Sequence, residues 1–197
     1  TLEYGKSTKT KFDTISKARS VDDIKKRIQI LFNGKDRAGE FYRRVFAGLL
    51  SYASHRIPEI SDEIFRLDDA MKAGFGWELG PFEIWDAIGI ESGINAVKEA
   101  DLKLPEWVTN FSNNNNSFYI TKDGKSSFYN IQTNDYSEIP GTNQYISLST
   151  LDQSKTIWKN DEASIQDIGD GIINIEFHSK MNTIGGGILS AINTAID

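Results

Sequence analysis

The chain has no cysteine among its 197 residues, which excludes disulfides, thiolate zinc sites and a cysteine nucleophile. Histidine is scarce as well. His55 and His178 are the only two, far apart and outside any ligand-spaced cluster. No apolar run approaches the roughly 20 residues that span a bilayer, so no membrane span is expected. The N-terminal "TLEYGKSTKTKFDT" is polar and unlike a secretory signal. Positive charge is in deficit. A formal net charge of -6 and a pI near 5.0 argue against a general nucleic-acid partner. Hydrophobic residues at 39% and charged ones at 25% suit a globular chain, one medium domain or two small ones. The absence of cysteine fits a reducing cytoplasm, the expected location.

What is present changes character near residue 105. Before it the spacing is helical. Ser20, with Asp23 three residues on, reads as a capping box opening a helix. Val21, Ile24, Ile28 and Leu31 share one face of it, and Gly34 is its stop. A second helix from Asp36 to His55 carries Phe41, Val45, Leu49 and Tyr52 on one stripe, with Pro58 beyond its end. A third, from Ser61 to Ala73, turns Ile64, Leu67 and Met71 inward and stops at Gly74. A fourth runs from Pro81 to near Gly89. A fifth, "ESGINAVKEA", turns Ile94 and Val97 inward, and Pro105 closes the helical block.

Beyond Pro105, "SNNNNS" reads as a loop. "SFYITKDGKSSFYNIQ" is a hairpin signal, with Asp123 and Gly124 as a type I′ turn. "NQYISLS" and "KTIWKN" read as strands. "ASIQDIGDGIINIEF" reads as two more, turning at Gly169 to Gly171. "TIGGGILSAINTAID" reads as a strand end passing into a helix with Ile188, Ile192 and Ala195 on one face. The expected class is α+β: an N-terminal all-α bundle, then a small antiparallel β-rich segment and a terminal helix.

The densest stretch is "GWELGPFEIWDAIG". Gly80 suits an N-cap and Pro81 the first helical position. Glu83 favours the helix dipole at the third. Phe82 and Trp85 form a wide apolar face. Glu78, Glu83 and Asp86 have no neighbouring base to set up an acid/base pair. The stretch reads as a capped, packed helix with no catalytic residues of its own.

"DEIFRLDDAMKAGFGWELGPFEIWDAIGI" resembles the signature of the C-terminal domain of 3-hydroxyacyl-CoA dehydrogenases. The matching positions are Asp68, Ala70, Met71, Gly74, Gly80, Pro81, Phe82, Asp86 and Gly89, and the similarity covers residues 36–100. It implies a parent enzyme that oxidises 3-hydroxyacyl-CoA to 3-oxoacyl-CoA with NAD. In the family, a preceding Rossmann domain carries GxGxxG and the catalytic His–Glu pair. This chain has neither, since "IGGGIL" has the wrong spacing. The family's helical domain opens Gly-Phe-x-x-Asn-Arg. Here "AGEFYRRVF" aligns Gly39 and Arg44 but places Arg43 at the Asn. The resemblance therefore implies a second, degenerate copy of the domain. Such a copy binds no cofactor or metal itself and supports the parent's other domains, with acyl-CoA reached through the parent.

"GDGIINIEFHSKMNTIGGGILSAINTAID" is similar to the start of an enoyl-CoA hydratase (crotonase) domain, with Asn182 near that family's early Asn. The expected organisation is a dehydrogenase-like helical domain over 1–105, a β-rich connector over 106–162 and a truncated hydratase start over 163–197. In that reading Ile172, Ile173, Ile175 and Ile188 lack their usual core. They then need a local cap or self-association through residues 170–197. The competing expectation is a stand-alone binding or protein-interaction module. Its aromatics Phe118, Tyr119, Phe128, Tyr129, Tyr145 and Trp158 would then serve as a ligand platform. Other features have plainer readings. His55 favours a helix C-terminus, His178 sits in a loop with CoA contact as its functional alternative, Lys25 to Arg27 form a solvated face, and Gly185 to Gly187 turn the chain sharply or cradle a phosphate.

Overall fold

The computed structural model describes residues 10–122 and 124–196. Within them the order is seven helices, six strands and a last helix, the α+β arrangement read from the sequence. The Cα packing divides into two compact units. One holds residues up to Ile120 together with 127–137, the other 121–126 together with 138 onward.

The helical unit begins earlier than the pattern suggested. α1 (Asp13–Arg19) ends where the capping box was expected, so Ser20 is a C-cap and not an N-cap. Asp23 itself caps α2 (Ile24–Asn33), accepting the Lys26 amide at 3.0 Å. Asp36 caps α3 (Arg37–His55) through the Gly39 amide, and its other oxygen takes the Thr14 amide of α1, both at 3.0 Å. One carboxylate thereby ties two helix N-termini.

α3 buries a different face from the expected stripe. Phe46, Ala47, Leu50, Ala53 and Ser54 face the core, while Phe41, Val45 and Tyr52 are exposed. The helix is apolar on two sides, so periodicity did not choose between them. On the buried side Gly39 lets the Gly34 backbone approach.

α4 (Ile64–Phe75) runs through Gly74 and stops at Gly76, whose φ of +66° is the left-handed conformation of a helix C-cap. Ile64, Phe65 and Asp68 are its buried positions, with Leu67 and Met71 half-buried. α5 (Pro81–Ile88) and α6 (Ile90–Glu99) meet at Gly89, with φ of +95°. Pro105 opens α7 (Glu106–Ser112) instead of closing the helical block.

The core extends past residue 105. Phe111 stacks on Phe118 at 4.2 Å, and Phe118 meets Phe82 and Trp85 edge-on at 5.1 and 5.3 Å. Phe128 lies 4.8 Å from Phe65. The first sheet runs in the order β1 (Tyr119–Lys122), β2 (Lys125–Asn130), β3 (Asp135–Glu138); Phe118 directly precedes β1 and Phe128 lies in β2. Of the six aromatics of the expected platform, Phe118, Phe128 and Tyr129 are core residues, whereas Tyr145 is exposed. Asp123 of the expected turn lies outside the described residues; Gly124 has φ of +73°.

The second unit centres on a sheet in the order β4 (Thr156–Lys159), β5 (Ala163–Gly169), β6 (Ile172–Phe177), all antiparallel. The turn at Gly169 to Gly171 has positive φ at all three residues, as two glycines around Asp170 permit. α8 (Gly186–Ile196) packs Ile188 and Ala191 on Ala163 and Ile165, flanked by Trp158, Ile175 and Phe177. The opposite face carries Ser164, Gln166, Asn174 and Glu176, as strand alternation requires. "NQYISLS" is not a strand. It forms short 3₁₀ turns over Thr142–Gln144 and Leu148–Thr150, and among the described residues no neighbouring strand offers it a ladder. Among the described residues no helix is long and apolar enough to cross a membrane.

Candidate functional site

Four of the signature residues, Asp68, Gly80, Pro81 and Phe82, meet at the α4–α5 corner. Gly80 has no side chain to cap α5, and Asp68 supplies the cap from α4. Its carboxylate accepts the Phe82 amide at 2.9 Å and the Glu83 amide at 3.0 Å. These are the N–H groups that a Ser or Asp N-cap satisfies. A Cβ at Gly80 would overlap Asp68, so glycine is required for the approach. Pro81 takes the position whose missing N–H costs nothing. Glu83 returns to the Gly80 amide at 2.7 Å and pairs with Lys72 at 2.9 Å.

Tyr119 completes the cluster, its hydroxyl donating to Asp68 at 2.8 Å. Burial pushes the Asp68 carboxyl up to about 7, against the opposing donors from Phe82 and Tyr119. Burial also raises the Tyr119 phenol, and the adjacent Asp68 adds to it. Lys72 loses hydration, yet its bonds to Glu83 and Asp69 leave its ammonium above the usual range.

Asp86 performs a second bridging task one turn later. It accepts the Phe118 amide at 2.7 Å, the Tyr119 amide at 2.9 Å and the Ser117 hydroxyl at 2.8 Å. Burial raises its pKa, with those donors opposing. Trp85 donates to the Ile90 carbonyl at 3.1 Å across the Gly89 junction. Gly93 lies under its indole, where a Cβ would collide. Gly74 does not join this corner. It sits inside α4 with open space where a side chain would go.

The corner is therefore a closed hydrogen-bonded joint. Asp68, Glu83 and Asp86 are each held by backbone amides, and among the described residues no histidine faces one. Ser117 escaped the sequence reading because it comes from beyond α7, with no local spacing to announce it. The sequence presents Tyr119 only as a platform aromatic, and Lys72 lies one turn after Asp68 on α4 but its partner Glu83 is on α5.

Arg43, where the resemblance led to an expected Asn, is committed to backbone. It donates to the Phe32 carbonyl at 3.3 Å and the Gly34 carbonyl at 2.9 Å, closing the C-terminal end of α2. The cavity beside it, about 190 Å³, is lined by Glu40, Arg43, Arg44, Ala96, Glu99 and Ala100. That wall is charged and offers little to an acyl chain.

The glycines at 185–187 open α8, but the N-terminus is filled from within the chain. Glu162 accepts the Gly187 amide at 2.9 Å, and a Cβ at Gly187 would overlap it. The residues present do not fit a dinucleotide pyrophosphate, because the carboxylate occupies the place an anion needs.

His178 bonds the Ser164 hydroxyl at 2.9 Å through Nε2, with Glu176 at 3.8 Å from the same nitrogen. A nucleophile–base–acid relay needs the acid on the other ring nitrogen, so this is a polar cluster and not a triad. It lines a cavity of about 390 Å³ with Gln166 and Lys159. His55 bonds the Ser51 carbonyl at 2.8 Å in the last turn of α3. Among the described residues no three His, Asp or Glu converge as metal ligands.

The first unit is thus a helical domain built on an α4–α5 joint whose cap comes from a neighbouring helix. Residues 39–116 match the family model for the 3-hydroxyacyl-CoA dehydrogenase C-terminal domain. The chain is 35% identical over 199 residues to a probable 3-hydroxyacyl-CoA dehydrogenase of Bacillus subtilis (strain 168), an alignment covering 100% of this chain and 25% of that relative. It is 29% identical over 94 residues to a putative fatty acid oxidation complex trifunctional enzyme of Rickettsia felis, covering 43% of this chain and 13% of the relative. A protein of the same description from Rickettsia prowazekii is 22% identical over 162 residues, covering 80% of this chain and 19% of the relative. The chain therefore spans a quarter or less of the length of these relatives. No solved structure matches it.

Proposed function

We propose that the chain is a non-catalytic, domain-docking segment of an NAD-dependent 3-hydroxyacyl-CoA dehydrogenase of fatty-acid β-oxidation. Its helical unit would be a degenerate second copy of the dehydrogenase C-terminal domain. The parent reaction would be oxidation of a 3-hydroxyacyl-CoA to the 3-oxoacyl-CoA in the cytoplasm. NAD and the catalytic pair would belong to other domains of the parent, and residues 163–197 would open a hydratase domain.

The observation that carries this reading is Arg43. Where the resemblance places a substrate-facing Asn, the guanidinium is spent on the Phe32 and Gly34 carbonyls. An Arg fixed in this way closes a helix end and leaves nothing to orient a thioester. The similarity to dehydrogenase relatives supports the parent assignment.

The test is an assay of the purified chain with NAD and 3-hydroxyacyl-CoA substrates. No NADH formation is expected, and any turnover above buffer overturns the non-catalytic reading. A thermal-shift series separates docking segment from independent module. Stabilisation by the rest of the dehydrogenase supports the first. Stabilisation only by an unrelated peptide or carbohydrate supports the second.

A further inference from the structure

Asn33 is the only asparagine of the chain followed by glycine. It is exposed, and it is the last residue of α2. Gly34 then leaves the helix in an extended conformation, with φ of -56° and ψ of 141°. The amide of Gly34 sets this junction apart. A helix end leaves its last carbonyls open, and the C-cap N–H commonly turns back to one of them. It does so at the ends of α1 and of α3 to α7. Gly76 bonds the Lys72 carbonyl at 3.0 Å, and Gly89 bonds the Trp85 carbonyl at 2.8 Å. Among the described residues the Gly34 amide makes no such bond. Its nitrogen adjoins the Asn33 side chain, and no Cβ of its own hinders approach. The Asn33 Nδ2 donates to the Gln29 carbonyl at 3.0 Å, in an exposed bond for which water competes.

We propose that Asn33–Gly34 is a site of spontaneous deamidation in the folded chain, and that its products loosen the α2–α3 junction. The Gly34 nitrogen gives its proton to solvent and attacks Cγ of Asn33. The new N–C bond closes a five-membered succinimide. The Cγ–Nδ2 bond breaks, and Nδ2 takes a proton from solvent and leaves as ammonia. Water then opens the ring at either carbonyl. One opening leaves aspartate at position 33. The other leaves isoaspartate, with the backbone routed through the former side chain. Water is the only co-reactant, so no oxidant, cofactor or partner is needed.

Packing holds the glycine in place. A Cβ at Gly34 would overlap the Thr14 side chain from α1 and the Gly39 backbone from α3. The contact that lets the three helices meet therefore also fixes the reactive residue after Asn33. The products act on the clamp that crosses this dipeptide. Arg43 holds the Phe32 and Gly34 carbonyls on either side of Asn33. Deamidation puts a negative charge at the C-terminal end of α2, where the helix dipole opposes it. It removes the donor to Gln29 as well. The isoaspartate form lengthens the backbone between the two carbonyls by one carbon, which changes the spacing that the guanidinium spans. The proposal is independent of the dehydrogenase reading, because it uses only local backbone chemistry and the packing of α1 to α3.

The experiment ages the whole purified chain in mildly alkaline and in mildly acid buffer, and follows each asparagine by peptide mapping and mass spectrometry. Asn33 is expected to convert first, with isoaspartate among its products and a faster rate in the alkaline buffer. The internal comparison is Asn116, which is exposed and precedes the small residue Ser117. Asn33→Gln should abolish the change at position 33, because the longer side chain must close a less favoured six-membered ring. The urea midpoint of the aged wild type should fall while that of aged Asn33→Gln holds. Asn33 intact after Asn116 has converted overturns the proposal. So does conversion of Asn33 seen only in the urea-unfolded chain, or a midpoint that drifts equally in both proteins.

Discussion

Asp68 and Gly80 touch so closely that the helix N-cap at Gly80 is built from two residues. One gives the backbone turn and the other gives the carboxylate. Neither works alone. A larger residue at Gly80 would push Asp68 away, and a non-acceptor at Asp68 would leave two amides of α5 unsatisfied.

Gly80→Ala should therefore destabilise the chain by about 1–3 kcal/mol, the range of overpacked sites. Gly74→Ala is the matched control. It places a methyl in open space inside α4, where alanine outranks glycine by about 0.5–1 kcal/mol. Urea unfolding of the pair should give opposite signs. Equal effects would mean that contact with Asp68 does not set the cost.

The burial of Asp68 makes stability depend on pH. Its folded pKa, about 7, lies above the unfolded 3.8. Between those values the native state binds more protons than the unfolded one. The contribution is therefore fully present below pH 3.8 and is lost as pH rises through 7, by about 1.4 kcal/mol per pH unit of the window. Other carboxylates pull the opposite way, so the measurement is a difference. The stability of the wild type relative to Asp68→Asn should fall between pH 4 and 7, and a flat difference would refute the shift.

Arg43→Ala should cost about 1.5–3 kcal/mol, the usual worth of hydrogen bonds from a charged group to backbone. The loss should concentrate at the α2–α3 turn, seen as faster amide exchange near Phe32 and Gly34. Arg43→Lys should rescue little, because one ammonium does not span two carbonyls as a guanidinium does. Full rescue by lysine would remove the two-carbonyl account.

Glu162→Ala should destabilise α8 by about 0.5–2 kcal/mol, as loss of an N-cap does. Exchange of the Gly187 amide should rise most. The same variant should gain no affinity for NAD, since the spacing of the glycines is not that of a dinucleotide loop. Micromolar NAD binding by Glu162→Ala would show that the carboxylate was masking a cofactor site.

Much of the fold was legible because local rules sufficed. Gly80-Pro81 announced α5, Gly169-Asp170-Gly171 announced the β5–β6 turn, and the spacing of Ile188, Ile192 and Ala195 announced the buried face of α8. The misreadings share a cause. Ser20 and Asp23 both suit an N-cap, and only the chain path of α1 assigns the role. Phe41, Val45 and Tyr52 repeat as well as the buried set of α3 does, and only small neighbours decide which side packs. "NQYISLS" has strand composition, but a strand exists only where another chain segment offers hydrogen bonds.

By itself the sequence determined the α+β class, the glycine turns and the α4–α5 signature, because these depend on backbone freedom and short-range spacing. The tertiary structure alone decided what the acids do. Asp68, Asp86 and Glu162 satisfy amides of elements distant in sequence, and Arg43 satisfies carbonyls of a neighbouring helix. Those pairings follow from which groups are buried together and left without water, and spacing along the chain does not encode that.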